Sequence, residues 1–233
     1  MSTTDLVKGA RASRSTISLK LLMAVSGLIF IAFVFTHMYG NLKAFSGHDA
    51  YNTYADHLRS VGEPVLPREG LLWLIRAALV GSLVVHVYCA VVLWHRAAKA
   101  RTTRYVMKRN IASTLSSRMM RWGGVTLLLF VVWHLLNFTI GKVNVKGGAT
   151  NDPYNLLVDS FDTWWLTVLY LIAMAALGMH LRHGVWSAAQ TLGLTNNAAA
   201  RRNANALGVL VAVVIAGGFS LVPIFVLAGV ITK

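Results

Sequence analysis

Charged side chains are scarce in this sequence of 233 residues. They make up 13% of the chain, whereas hydrophobic residues make up 56%. Soluble domains contain roughly 25% charged residues, so this composition excludes an ordinary soluble domain and indicates a membrane protein. Acidic residues are the rarest charged type, with 8 Asp and Glu against 22 Lys and Arg.

Cysteine is almost absent. Cys89 is the one cysteine of the chain, so an intrachain disulfide is impossible. The chain alone is equally unable to build an all-cysteine iron–sulfur cluster or zinc site. We expect Cys89 to pack as a small apolar residue within its helix.

Long apolar segments are abundant. A hydrocarbon core about 30 Å thick is crossed by about 20 residues of helix. Five segments reach this length: residues 18–40, 70–96, 120–141, 162–190 and 204–230. The basic start of the chain resembles a secretory signal, but no clear A-x-A cleavage site follows, so we expect a retained first helix. The sequence predicts an all-α integral membrane protein, with residues 1–233 as one domain of five transmembrane helices.

The positions of the basic residues explain the net charge of +14. Nucleic-acid binding is one alternative, but these residues cluster between the apolar segments, as the positive-inside rule expects. One side holds Lys8, Arg11, Arg14, Lys20, eight basic residues from Arg96 to Arg121, Arg201 and Arg202. Seven of the eight acidic residues lie on the other side. We therefore predict a cytoplasmic N-terminus and a C-terminus outside.

Four histidines lie on four different apolar segments: His37, His86, His134 and His180. With a helical rise of about 1.5 Å per residue, His37 and His134 lie about 27 and 18 Å from the cytoplasmic side. The second and fourth helices run the other way, so His86 and His180 lie about 22 and 24 Å below the outer side. The residues thus form an outer pair, His37 with His134, and an inner pair, His86 with His180.

An imidazole in the hydrocarbon region is costly and needs a partner inside the bundle. A structural role, in which the imidazole simply hydrogen-bonds to a neighbour, would explain any one of these histidines. It is a poor explanation for four histidines arranged at two matched depths. A proton relay favours acids at membrane depth, and the middles of the five segments contain none. Zinc or copper would gather its ligands at one level, whereas a planar macrocycle between two helices takes one imidazole on each face. We therefore predict two bis-histidine b haems in a four-helix bundle plus a fifth helix. No CxxCH motif occurs, which excludes covalent c-type attachment.

The remaining histidines fit a ligand role less well. His183 lies three residues after His180, on a neighbouring part of the same face, and could replace it as the ligand. His95 faces away from the ligand side of its helix, and His48 and His57 lie in an outer loop without ligand-like spacing. We expect these last three to be ordinary solvated residues.

Two arginines and two glycines allow two interpretations each. Arg76 and Arg182 could each contact a haem propionate. Arg76 could instead contact a quinone carbonyl, and the simpler alternative is that its side chain extends to the lipid headgroups. Gly123 and Gly124 would give the inner macrocycle room beside the third helix, but tight helix packing explains them equally well.

The motifs around the four histidines resemble those of a known family. They are His37 with Asn41, VVHVY around His86, Trp133 with His134, and HLRHGVWS from His180 to Ser187, continuing into AAQTLG. Over essentially the whole chain they resemble the di-haem, five-helix cytochrome b subunit of succinate:quinone oxidoreductases, of the cytochrome b558 type. The resemblance implies His180 as the ligand in preference to His183, and it implies the same outer and inner pairs.

The resemblance also implies partners. A flavoprotein subunit and an iron–sulfur subunit would dock on the cytoplasmic face of a bacterial cell membrane, and electrons would pass through the haems to menaquinone or ubiquinone. The dicarboxylate site would lie in another subunit. The direction, succinate oxidation or fumarate reduction, and any higher oligomer of the complex stay open.

Alternatives and unplaced sites remain at this point. One alternative is a di-haem cytochrome b of another quinone-linked reductase or dehydrogenase, and another is a haem-free helical anchor or transporter. The positive charge of Arg101, Arg104 and Lys108 suggests the hypothesis that residues 97–119 dock the soluble subunits. Candidates for the quinone site lack specific spacing: Glu63, Glu69 and Arg76 outside, Ser26 or Trp122 inside.

Overall fold

The computed structural model describes residues 15–100, 115–140, 143–147 and 150–233. The regular elements in these ranges are all helical. In chain order they are α1 (Thr16–Leu42), a 3₁₀ helix (Lys43–Ser46), α2 (His48–Ser60), α3 (Gly70–Lys99), α4 (Leu115–Phe138), α5 (Pro153–Phe161), α6 (Trp164–Thr191) and α7 (Ala198–Leu227).

Five of these described helices are long and apolar enough to cross a membrane: α1, α3, α4, α6 and α7. They coincide with the five predicted segments, so the predicted all-α integral membrane fold is confirmed. The largest differences are at two helix starts, because α4 begins at Leu115 and not at 120, and α7 at Ala198 and not at 204. Both extensions consist largely of polar, basic and small residues, which continue the helix beyond its most apolar part.

Side-chain caps mark where three helices begin. Ser15 caps α1 and Asn197 caps α7, each accepting a hydrogen bond from the backbone N–H three residues further on, at 3.0 and 2.8 Å. Asp152 caps α5 in the same way at 3.0 Å. These bonds satisfy backbone N–H groups that have no partner within the first helical turn.

The helix α6 lies at the centre of the bundle. It packs against α1, α4 and α7, while α1 also packs against α3 and α7. The helices α7 and α6 approach closely where Gly208 faces the backbone carbonyl of Arg182. The fifth transmembrane helix therefore lies against α6 and α1, which carry His180 and His37, and its Pro223 is buried near its C-terminal end.

Two short helices, α2 and α5, were not predicted from the sequence. Six of the nine residues of α5 are buried, and four of the six form a core with the ends of α6 and α7. Its members include Tyr154, Leu157, Phe161, Leu166, Tyr170, Val222 and Val226. A search for membrane-length apolar segments misses such helices because they have only 13 and 9 residues.

A polar cluster joins α2 to α5. His48 Nε2 lies 2.7 Å from Asp152 Oδ2, and Asn52 donates to Asp152 Oδ1 at 2.9 Å. Hydrogen bonds with Asp49 and then Asp152 raise the pKa of His48. Burial acts to raise the pKa of Asp152, but the hydrogen bonds from Asn155, Asn52 and His48 outweigh it and lower this pKa. His48 lies at the surface as expected, yet it also connects two helices.

Some predictions concern residues outside the described ranges. Arg101, Arg104 and Lys108, the basis of the docking hypothesis, lie there, as do the basic residues up to Arg14. The docking role and the orientation of the chain in the membrane therefore stay predictions.

Candidate functional site

The structure brings the four transmembrane histidines together in two pairs. The rings of His37 on α1 and His134 on α4 have their centroids 5.8 Å apart, with an interplanar angle of 83°. The rings of His86 on α3 and His180 on α6 are 6.1 Å apart, at 55°. These are the outer pair and the inner pair expected from helix depth.

The spacing of the rings fits a metal atom between them. Metal–imidazole bonds are about 2 Å long, so two imidazoles on opposite sides of one metal would have ring centres roughly 6 Å apart. Both observed separations, 5.8 and 6.1 Å, agree with this value. Each pair can therefore supply two axial ligands to one iron.

The helices that carry each pair do not pack closely on each other. The close backbone contacts of α3 are with α1 and α2, and those of α4 are with α6 and α5. Neither α1 with α4 nor α3 with α6 forms a close backbone interface among the described helices. Side-chain rings of the histidines meet across both gaps, an arrangement that suits a flat cofactor inserted between the helices.

Glycines line the inner pair. A Cβ atom added at Gly27 would lie 3.5 Å from the His86 ring, and one added at Gly124 would lie 3.9 Å from the His180 ring. Gly124 thus lies beside the inner pair, where the sequence placed it. Gly123 faces the Ala176 carbonyl instead, at 3.9 Å from an added Cβ, so it serves the packing of α4 on α6.

Each pair has a hydroxyl group behind one of its imidazoles. Ser26 Oγ lies 3.1 Å from His86 Nδ1. Tyr170 Oη lies 3.4 Å from His134 Nδ1 and also donates to Asn137 Oδ1 at 3.0 Å. These contacts place a polar partner on the ring edge away from the atom Nε2.

The imidazole of His180 differs from those of His86 and His134 in its hydrogen bonding. His180 Nδ1 has no hydrogen bond to any residue that the structure describes, and the same is true of Trp133 Nε1. Buried polar atoms without partners are uncommon in proteins. The inner pair therefore has one histidine held by Ser26 and one without such a bond within the described ranges.

Aromatic rings surround the outer pair. Phe33 stacks on His37 at 5.2 Å between centroids, and Phe219 of α7 lies 5.7 Å from the same ring. Phe130 and Phe138 flank His134 at 5.8 and 5.5 Å. Such an apolar shell limits access of water and lowers the local dielectric constant, both of which influence the redox potential of a bound group.

The other histidines make no ring contact with either pair among the described residues. Among the described residues, the ring contacts of His86 include His180 and not His183, which favours His180 as the ligand. His95 and His57 are exposed. No group of three or more His, Cys, Asp or Glu side chains in the described ranges could hold a separate metal ion.

Within the described ranges, no hydrogen bond, ion pair or ring contact joins Arg76 or Arg182 to a histidine pair. The Arg76 guanidinium lies over the ring of Trp73, 4.8 Å from its centroid, and 63% of Trp73 is exposed. The Arg182 side chain has no hydrogen bond or ion pair with any residue in the described part of the chain. A contact of either arginine with a propionate or a quinone stays a prediction.

Sequence reasoning missed Tyr170 and Asn137. Tyr170 lies ten residues before His180 on the same helix, which is about 15 Å toward the outer side. The depth count that sorted the histidines would therefore have placed its hydroxyl at the level of His134. Asn137 follows His134 by three residues and is fully buried. A polar side chain within an apolar segment is a signal in the sequence that could have indicated this burial.

Comparison with known proteins gives one match. The model of a family described as "Succinate dehydrogenase/Fumarate reductase transmembrane subunit" matches residues 94–218, which is more than half of the chain. The match includes His134 and His180, whereas His37 and His86 precede it. No curated protein and no solved structure shows significant similarity to the chain.

Proposed function

We propose that this chain, which belongs to the family of succinate dehydrogenase/fumarate reductase transmembrane subunits, binds two b haems and conducts electrons to a membrane quinone. The family assigns the chain to an oxidoreductase complex, as a multi-pass subunit in the membrane. The observation that carries the haem proposal is the pair of histidine sites, each with ring centroids about 6 Å apart between helices without a close backbone interface.

The residues have defined roles in this proposal. His37 and His134 bind the outer haem iron, and His86 and His180 bind the inner one. Haem iron, when bound, supplies one-electron transfer between its ferric and ferrous states. His37 lies about 15 Å along α1 from Gly27, which touches the inner pair, so the two sites form two successive levels across the membrane.

The proposal includes the partners of the complex. A flavoprotein subunit and an iron–sulfur subunit would bind the cytoplasmic face and contain the dicarboxylate site. Electrons from the iron–sulfur clusters would reach the inner pair first and the outer pair next, with menaquinone or ubiquinone as the acceptor in a bacterial cell membrane. Arg182, two residues beyond His180, is our candidate for an inner propionate contact, and Arg76 for an outer propionate or quinone contact.

Haem content of the native complex tests the proposal. The complex is purified from its own membrane, its subunits are identified, and b haem per chain is measured from the reduced-minus-oxidised spectrum. We expect two haems per chain together with a flavoprotein and an iron–sulfur subunit. One haem or none would contradict the proposal, and other soluble partners would contradict the assigned complex.

Ligand variants assign the two haems. His134→Ala should remove the outer haem alone and His180→Ala the inner haem alone, because each variant deletes one of two axial ligands. His95→Ala and His183→Ala are the matched controls and should keep both haems. Loss of a haem in His183→Ala with retention in His180→Ala would reverse the ligand assignment on α6.

A further inference from the structure

The hydroxyl groups of Ser26 and Tyr170 reveal which nitrogen of His86 and His134 carries the proton. A hydroxyl has one proton to donate and can accept hydrogen bonds with its lone pairs. If that proton is donated elsewhere, the hydroxyl must accept a hydrogen bond from the histidine. The tautomer of each imidazole therefore follows from the other partners of the hydroxyl.

Asn137 determines the direction of the hydrogen bond at Tyr170. The side-chain nitrogen of Asn137 donates to the Val143 carbonyl oxygen at 2.8 Å and lies 3.2 Å from Ser160 Oγ. A carbonyl oxygen only accepts, so Asn137 Nδ2 faces Val143 and Oδ1 faces Tyr170. Tyr170 donates its one proton to Oδ1 at 3.0 Å and can only accept from His134.

The backbone of α1 determines the direction at Ser26 in the same way. Ser26 Oγ lies 2.8 Å from the Leu22 carbonyl oxygen and 3.2 Å from that of Met23. Both atoms only accept, so the hydroxyl proton of Ser26 stays within its own helix. The contact of 3.1 Å with His86 is then a hydrogen bond from Nδ1–H to the serine oxygen.

We propose that Ser26 and Tyr170 are positioning residues that hold His86 and His134 in the Nδ1–H tautomer and leave Nε2 unprotonated for the metal. A neutral imidazole binds a metal through its unprotonated nitrogen, and a hydrogen bond from its other N–H fixes the ring and raises its basicity. Each haem would thus have at least one ligand fixed by a hydroxyl. This inference rests on the proposed function, because it assigns the metal-binding nitrogen of haem ligands.

Redox titration of the purified complex tests the proposal. Ser26→Ala and Tyr170→Phe each delete one oxygen, so the imidazole donates less electron density to the iron, ferric iron is less stabilised, and the midpoint potential rises. We expect a shift of up to tenfold in the ferrous-to-ferric ratio, or about 59 mV for one electron. The shift should be smaller for Tyr170→Phe, because its contact is 3.4 Å against 3.1 Å for Ser26.

Only one haem should respond in each variant. Ser26→Ala should raise the potential of the inner haem and leave the outer one unchanged, and Tyr170→Phe should do the opposite. Combining each variant with the His134→Ala or His180→Ala chain, which retains a single haem, assigns the component that shifts.

Matched controls remove the same atoms elsewhere. Ser220 Oγ donates to the Ala216 carbonyl at 2.7 Å within α7, and 62% of Tyr88 is exposed on α3. Ser220→Ala and Tyr88→Phe should leave both potentials unchanged. Ser26→Thr keeps the hydroxyl and should retain the potential of the unmodified chain, even if Ser26→Ala loses the inner haem.

The outcomes separate the two proposals. Two haems with unshifted potentials in both Ser26→Ala and Tyr170→Phe would overturn the positioning role and leave the haem proposal intact. Equal shifts of both haems in every variant, controls included, would overturn it as well, because a general disturbance would explain them. An unmodified complex without b haem would overturn the proposed function itself.

Discussion

Replacing Gly208 with alanine should push α7 away from α6. A Cβ atom at this position would lie 2.7 Å from the backbone oxygen of Arg182, whereas ordinary contacts begin at 3.4 Å. The helices would have to separate by about 0.7 Å, since both atoms belong to rigid helix backbones and no rotamer change removes the overlap. Overpacking of this kind costs about 1–3 kcal/mol.

The matched control for this prediction is Gly217 on the same helix. An added Cβ at Gly217 meets nothing within 4 Å in the described structure. Gly217→Ala should therefore show only the benefit of replacing a helical glycine, about 0.5–1 kcal/mol. The difference in stability between Gly208→Ala and Gly217→Ala isolates the effect of the contact between α7 and α6, because both variants make the same chemical change in the same helix.

Thermal stability of the chain in the detergent-solubilised complex provides the measurement. The fraction of tagged chain that remains soluble after heating reports on this subunit alone. A cost of 1 kcal/mol lowers the midpoint by about 2–4 °C for a chain of this size, so Gly208→Ala should fall about 2–12 °C below Gly217→Ala. Equal midpoints for the two variants would refute the close approach of α7 to α6.

Two further predictions concern the inner pair and the outer surface. Gly124→Leu should reduce inner haem content while Gly81→Leu, with no neighbour within 4 Å, should not, as measured by b haem per chain. A role of Gly124 in helix packing alone predicts lower stability with full haem content. Because its hydrogen bonds raise the pKa of His48, the link to Asp152 is complete below pH about 6.5 and weakens as pH rises through the raised pKa. Hydrogen-exchange protection factors of α2 should fall as the pH rises from about 6.5 through the raised pKa of His48. In the control variant His48→Gln they should be independent of pH. The same decline in this variant would exclude His48 as its cause.

Much of the membrane architecture could be read from the sequence alone. Apolar segments of about 20 residues and a constant helical rise are local properties, so they predict the five long helices and the depth of each histidine without any tertiary contact. The outer pair of His37 and His134 followed from depth alone. So did the placement of Gly124 near the inner pair.

Depth gives the level of a residue in the bundle, but it does not show which residues of different helices face each other. The partners Tyr170 for His134 and Ser26 for His86 come from different helices, and the sequence alone does not say which faces of two helices meet. The short helices α2 and α5 were missed for a related reason, since α5 is held by burial against α6 and α7 and not by its own length.

By itself, the sequence determined that this is an all-α membrane protein of five long helices with four histidines at two depths, because hydrophobicity and rise act along one helix at a time. Only the tertiary structure decided that the Ser26 hydroxyl lies beside His86 and the Tyr170 hydroxyl beside His134. It also decided where α7 touches α6 and how α5 packs against the ends of these two helices. Those features depend on side-chain packing and hydrogen bonds between segments that are distant in the chain.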